Sequence, residues 1–379
     1  MRLLILLLLL IFPFWSSGQE QRTMVFQGQQ RNFILYVPSN LPADFRPPLV
    51  FVLHGFTQNS AAIMAYSGFN ALAENQNFVV AYADGVGNAW NTISGFPGGS
   101  TADDVGFLNT LIDSLQAELA IDTTRVYACG FSAGAFMSHR LACELSYRIR
   151  AIAAVSGTMS SAAFSACNPS NSVPVLQIHG TADAVVSYGG GFANVAVEST
   201  MDFWAQRNAC GATPSVEPLP DSNTADGSTV ERHVYGSCTT GAETELLKVL
   251  SGGHSWPGDL GSSGVGNTNR DINASQEIWN FFNRFGGSPN GTGSFLPQTS
   301  APFIYPNPAT NWLQLPDEVS VNTAWRITDI SGRDLTAQVK RLANTLLDVT
   351  DLPDGLYFIQ MVHGTQSNCH RFIVLHESK

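Results

Sequence analysis

The chain has 379 residues, 44% of them hydrophobic, and a formal net charge of −11 at pH 7. That length calls for two folded units with real cores and excludes a disordered or collagen-like chain. With 19 Lys and Arg against 30 Asp and Glu, the balance supplies no clustered cations for phosphates, which excludes a nucleic-acid partner and suits a neutral or mildly polar substrate.

The N-terminus reads Met1-Arg2, an apolar run over 3–15, then Ser16-Ser17-Gly18 before Gln19. This is the layout of a secretory signal peptide, expected at 1–18. The run is too short to cross a bilayer, so no membrane span is expected in the mature protein. Export permits disulfides among the six cysteines. The expected pairs are Cys143 with Cys167 and Cys210 with Cys238. Cys129 closes an apolar strand and reads as a buried free thiol, and Cys369 is left without a partner.

Residues 23–38 suggest two short strands. Regular apolar runs follow at 49–53, 78–82, 125–129, 151–155, 173–178 and 245–250, bounded by Gly, Pro or Asp. Continuous apolar strands of this kind suit a mostly parallel buried sheet flanked by helices, an α/β architecture. The clearest helix is 104–119, where Val105, Leu108, Leu111, Ile112 and Leu115 share one face. Asp103 or Asp104 caps its start or serves near the active site. A Gly-, Ser- and Asn-rich stretch makes 287–301 a linker between a catalytic unit at 19–286 and a tail at 302–379. In the tail, short strands at 325–330, 346–349, 356–362 and 371–375 predict a small β-sandwich.

Gly130-Phe131-Ser132-Ala133-Gly134 fits the nucleophile-elbow pattern G-x-S-x-G between a buried strand and a helix. A serine hydroxyl needs a base within hydrogen-bond reach and a carboxylate to orient that base. Of eight histidines, His254, in the glycine-rich loop 252–258 after a strand, is the expected base. His233 alternates with apolar neighbours and reads as a half-exposed strand residue. Asp183 follows the 173–178 strand through His179-Gly180-Thr181-Ala182 and is the expected acid; Asp202, Asp221 and Asp226 lack that placement. The expected oxyanion donors are the backbone N–H groups of Ala133 and Phe56. His54 and His179, each before a glycine, read as structural. Trp90 and Trp256 are candidates for an aromatic wall binding substrate. No metal-ligand spacing, phosphate loop or dinucleotide fingerprint is present in the sequence, so no cofactor is expected.

These residues resemble a known family. Leu53-His54-Gly55-Phe56-Thr57-Gln58, Asp103-Asp104-Val105-Gly106-Phe107, the elbow, His179-Gly180-Thr181-Ala182-Asp183 and Gly253-His254-Ser255-Trp256-Pro257-Gly258 are similar to segments of the polyhydroxybutyrate depolymerase and feruloyl esterase family, over residues 24–286. The resemblance implies an α/β-hydrolase fold and an extracellular carboxylic ester hydrolase with Ser132, Asp183 and His254 as triad. Phe56 and Phe131 stand where many polyester-cleaving relatives and one feruloyl esterase branch, respectively, carry cysteine. Tyr305-Pro306-Asn307-Pro308-Ala309, Asp329-Ile330-Ser331-Gly332-Arg333 and Leu352-Pro353-Asp354-Gly355-Leu356-Tyr357-Phe358 resemble the C-terminal sorting domain of type IX secretion. That implies the type IX machinery as a partner and a Gram-negative protein released or held at the cell surface. The other reading of the tail is a carbohydrate- or polymer-binding sandwich. The expected substrate is a feruloyl or acetyl ester of xylan or a hydroxyalkanoate polyester. The alternatives are a non-catalytic binding protein on the same fold and a peptidase with the same triad.

Overall fold

The computed structural model describes residues 18–376 apart from 43, 93–98, 193, 260–263, 287–308, 316–323, 330–332, 344 and 364–365. The signal peptide expected at 1–18 (save Gly18), the linker and Tyr305 to Pro308 therefore lie outside the described residues, as do Ile330 to Gly332 and the Cys369 side chain. The chain divides into two compact units, 1–290 and 291–379.

The first unit opens with β1 (Gly18–Phe26), β2 (Gln29–Val37), β3 (Leu49–Leu53), α1 (Ser60–Ser67), α2 (Phe69–Gln76) and β4 (Val79–Ala83). It continues through α3 (Asp104–Leu119), β5 (Val126–Phe131), α4 (Ala133–Glu144), β6 (Ala151–Val155), α5 (Ser161–Ala166) and β7 (Val175–Gly180). It closes with α6 (Val197–Arg207), β8 (Ser215–Pro218), β9 (Thr229–Tyr235), β10 (Thr244–Leu250) and α7 (Ala274–Arg284). The strands form one sheet in the order β1-β2-β4-β3-β5-β6-β7-β10-β9-β8. From β4 to β10 every pairing is parallel, whereas β1 and β2 at one edge and β9 and β8 at the other pair antiparallel.

Strand periodicity sorts the core into two layers. Leu49, Phe51 and Leu53 of β3 join a cluster with Leu108, Leu111 and Ile112 of α3 and Met137 and Leu141 of α4. Val50 and Val52 face the other way, against Ile63 of α1, Phe69 of α2 and Ile278, Phe281 and Phe282 of α7. Helices thus cover both faces of the central strands, as a buried parallel sheet requires. The helix expected at 104–119 spans those residues, capped by the Asp103 carboxylate on the Gly106 N–H at 2.8 Å. Asp104 is instead buried: it pairs with Arg31 at 2.7 Å and accepts the Asn91 N–H at 2.8 Å. The N-terminal strands β1 and β2 each run nine residues, longer than their sequence suggests.

The second unit contains β11 (Trp312–Gln314), β12 (Ala324–Asp329), β13 (Lys340–Ala343), β14 (Leu346–Asp348), β15 (Gly355–His363) and β16 (Gln366–Val374). They form two antiparallel sheets, β11-β14-β13 and β12-β15-β16. Leu313 and Leu347 of the first sheet share one core with Ile327, Ile359 and Phe372 of the second, which makes a small β-sandwich.

Disulfides join Cys143 to Cys167 and Cys210 to Cys238, and Cys129 is a buried free thiol. The first ties the end of α4 to the end of α5 across 24 residues of sequence. Loop-closure entropy for a loop of that length is about 3 kcal/mol. A Cys143→Ser/Cys167→Ser variant is therefore expected to lose stability of that order, read as a lower urea midpoint, with a steeper slope because the unfolded chain is no longer cross-linked. Recovery of both cysteines as free thiols in unreduced peptide maps of the parent protein would contradict the pairing.

Candidate active site

The parallel strands deliver three loops to one edge of the sheet, the carboxyl ends of β5, β7 and β10. Ser132 lies between β5 and α4 with φ 53° and ψ −115°, a region in which a non-glycine residue is held against about 1–3 kcal/mol of strain. Three hydrogen bonds hold it there. Its N–H continues the sheet to Val155 O at 2.9 Å, and its carbonyl accepts the N–H groups of Ala135 and Phe136 at 2.9 and 3.2 Å. The turn is tight enough that a Cβ on Gly134 would stand 2.1 Å from Leu53 O, so only glycine lets α4 start against the end of β3.

Asp183 and His254 meet beside this turn. His254 Nδ1 lies 2.8 Å from Asp183 Oδ2, with both side chains almost wholly removed from solvent. Their loops are laced together: Thr181 N–H donates to Val249 O at 2.8 Å and Ala182 N–H to Gly252 O at 2.9 Å. Gly180 makes that approach possible, since a Cβ there would stand 2.2 Å from Gly252 O. His254 is further fixed by paired backbone bonds with Val265, each 2.8 Å. Asp183 Oδ1 accepts the N–H groups of Val185 and Val186, both at 2.8 Å. Burial disfavours the Asp183 anion, but hydrogen bonds from His179, His254 and Val186 outweigh it and hold the carboxyl well below the usual range. The pair is therefore an ionised carboxylate accepting from an imidazole N–H.

No hydrogen bond joins Ser132 Oγ to His254. The imidazole reaches the elbow through Phe131, whose ring lies 4.8 Å from that of His254. Tyr66 packs edge-on against Phe131 at 5.2 Å and accepts the Trp256 N–H at 2.8 Å. Tyr66 is a member of the site that the sequence does not disclose, because a single tyrosine in an apolar helix carries no signal. The Gly55-Phe56 turn lies beside Ser132, a Cβ on Gly55 falling 3.4 Å from Ser132 Cβ. Ala133 opens α4, and no protein acceptor takes its N–H among the described residues.

Two expectations are corrected. Trp90 and Trp256 are each 2% exposed and are not a wall open to substrate. Trp90 donates its indole N–H to His54 O at 2.9 Å and supports the turn before Phe56. Trp256 donates to Ser275 Oγ at 3.1 Å and borders a cavity of about 160 Å³, below the size of a typical ligand pocket. Buried indoles settle where their N–H finds an acceptor, and here the acceptors lie inward, at His54 O after β3 and at Ser275 on α7. His54 donates from Nδ1 to Gly55 O at 2.7 Å and accepts the Gly85 N–H on Nε2 at 2.9 Å, which occupies both nitrogens in shaping the turn. His233 pairs with Glu231 on β9, away from the triad loops. Among the described residues no group of three His, Cys, Asp or Glu side chains could hold a metal ion.

Residues 42–209 match the phospholipase/carboxylesterase family of α/β-hydrolases, and residues 303–375 match the secretion system C-terminal sorting domain. The first unit has the α/β-hydrolase fold, and the second is similar to secretion sorting domains. The chain is 29% identical to feruloyl esterase B of Piromyces equi over 59% of its own length and 42% of the relative's. It is 27% identical to a bifunctional acetylxylan esterase/xylanase of Neocallimastix patriciarum, over 72% and 36% of the two chains. With feruloyl esterase D of Neurospora crassa it shares 26% identity over 72% and 88%. The chain thus spans less than half the length of the first two relatives. No helix among its described residues is long and apolar enough to cross a membrane.

The buried imidazoles make the protein acid-sensitive. Burial lowers the pKa of His54, and that of His139 to about 4, from the ordinary imidazole value of about 6.5. The unfolded chain binds protons in this window that the folded chain excludes, so stability is full above about pH 6.5 and is lost as pH falls towards 4. Asp183, held low, adds its loss only below about pH 4. The unfolding free energy read from urea titrations should fall over this window by about 3 kcal/mol for His139, and His139→Gln should flatten the fall. A parent protein equally stable at both ends of the window would contradict this.

Proposed function

We propose that the hydrolase is a serine esterase that cleaves feruloyl or acetyl esters of plant-wall xylan through an acyl-enzyme. The observation that carries the reading is the buried Asp183–His254 bond of 2.8 Å beside the strained Ser132 elbow. Ser132 Oγ attacks the ester carbonyl carbon while His254 Nε2 takes its proton. The resulting imidazolium is stabilised through Nδ1–H by Asp183, which stays ionised. The N–H groups of Ala133 and Phe56 hold the oxyanion. Collapse expels the alcohol with the proton from His254, and a water activated by the same imidazole then releases the acid.

Relatives named as feruloyl and acetylxylan esterases favour plant-wall esters. Hydroxyalkanoate polyesters remain the second substrate class, carried by the family resemblance. In this reading residues 1–18 are a cleaved signal peptide, 19–286 form the mature catalytic unit and 287–301 link it to the sorting domain at 302–379. The tail directs export from a Gram-negative cell and is removed, leaving the enzyme released or on the cell surface.

The test compares the parent protein with Ser132→Ala and Asp183→Asn on methyl ferulate, acetylated xylan, p-nitrophenyl butyrate and a polyhydroxybutyrate suspension. Ser132→Ala is expected to abolish turnover, and Asp183→Asn to lower kcat about 10⁴-fold with little change in KM. Equal activity of the parent and Ser132→Ala would overturn the reading, and preference for a matched amide over the ester would move it to a peptidase.

A further inference from the structure

Four buried polar side chains outside the triad line up behind its acid. Trp204 of α6 donates its indole N–H to His139 Nδ1 of α4 at 3.1 Å. His139 Nε2 lies 3.1 Å from Gln177 Oε1 on β7. The Gln177 amide nitrogen donates to Gly157 O at 2.9 Å and lies 3.2 Å from His179 Nδ1. His179 Nε2 lies 2.8 Å from Val186 O and 3.3 Å from Asp183 Oδ2. None of the four residues is more than 1% exposed. Residues 177 and 179 share a face of β7 because strand side chains alternate.

The polarity of this chain is pinned at both ends. An indole N–H can only donate, so His139 Nδ1 is an acceptor and its proton sits on Nε2. That proton engages Gln177 Oε1 and turns the amide NH₂ towards Gly157 O and His179 Nδ1. His179 is then protonated on Nε2, facing a carbonyl and a carboxylate that can only accept. The opposite polarity would set Gln177 Oε1 against Gly157 O and a bare imidazole lone pair against two acceptors.

We infer that His179, held in its Nε2–H tautomer by Gln177, His139 and Trp204, is a positioning residue that fixes the Asp183 carboxylate for His254. An ionised carboxylate offers about four lone-pair sites. Val185 and Val186 N–H take two on Oδ1, and His254 Nδ1 and His179 Nε2 lie against the two on Oδ2. With three sites hydrogen-bonded and the single His179 Nε2–H shared between Val186 O at 2.8 Å and Oδ2 at 3.3 Å, the carboxylate is held from rotating away from the base. The inference rests on the triad reading; His179 itself touches no substrate.

The test uses the full chain with p-nitrophenyl butyrate, with active sites counted by a serine-reactive phosphonate. His179→Leu is expected to lower kcat per active site by about 10- to 100-fold, the scale of losing a supporting hydrogen bond, with KM unchanged within about twofold. His179→Gln, which keeps an N–H donor, is expected to recover most of the loss. Nitrogen-15 imidazole spectra of the parent protein should show both His139 and His179 as Nε2–H tautomers, and Trp204→Phe should release His139 into a mixture and lower kcat. A parent spectrum with His179 protonated on Nδ1, or His179→Leu with a lower melting temperature but unchanged kcat, would overturn the inference. If Ser132→Ala is inactive in the same series, that failure belongs to the positioning role alone. If Ser132→Ala stays active, the triad and this inference fall together.

Discussion

The hydrogen bond between His254 and Asp183 is the contact around which this molecule is arranged. A carboxylate removed from water costs several kcal/mol unless its lone pairs are met by donors, and removing one partner of such a pair typically costs 3–5 kcal/mol. Asp183 is met by backbone N–H groups on one oxygen and imidazoles on the other. That requires the loops after β7 and β10 to lie within van der Waals contact, which is why strands distant in sequence are neighbours in the sheet and why residue 180 has no side chain.

The same edge stores strain at Ser132. Its positive φ is maintained by a hydrogen bond into β6 and two from the first turn of α4. Behind it, Phe131 packs against His254 and Tyr66 packs on Phe131, so the imidazole is located by aromatic contact as well as by its bond to the acid. The support of Ser132 thus comes from β5, β6 and α4, and that of His254 from β7, β10 and α1. The scaffold is rigid where the two sets meet, which is what a site needing placement to within a fraction of an ångström demands.

Much of this was legible in the sequence. The runs at 49–53 and 151–155 and the helix at 104–119 are recovered residue for residue, because a buried parallel strand is uniformly apolar and a core-facing helix repeats every 3.6 residues. The order of Ser132, Asp183 and His254 at the ends of β5, β7 and β10 could be read from turn glycines and spacing, whereas the distance between Asp183 and His254 could not. Trp90 and Trp256 misled because an aromatic residue in a glycine-rich loop looks the same whether its ring turns outward or into the core. The chain from Trp204 to His179 was invisible for a different reason: its members lie on α6, α4 and β7, and only the folded chain brings them together. Strands β11 and β13 were missed because three or four residues carry too little alternation to register.

The most direct test of the central claim is rapid-quench intact-mass analysis of the protein with p-nitrophenyl butyrate, followed by peptide mapping. The account predicts one butyryl group per chain on Ser132 during turnover, absent when His254 is replaced by alanine. Turnover with no covalent adduct, or an adduct on another residue, would contradict it.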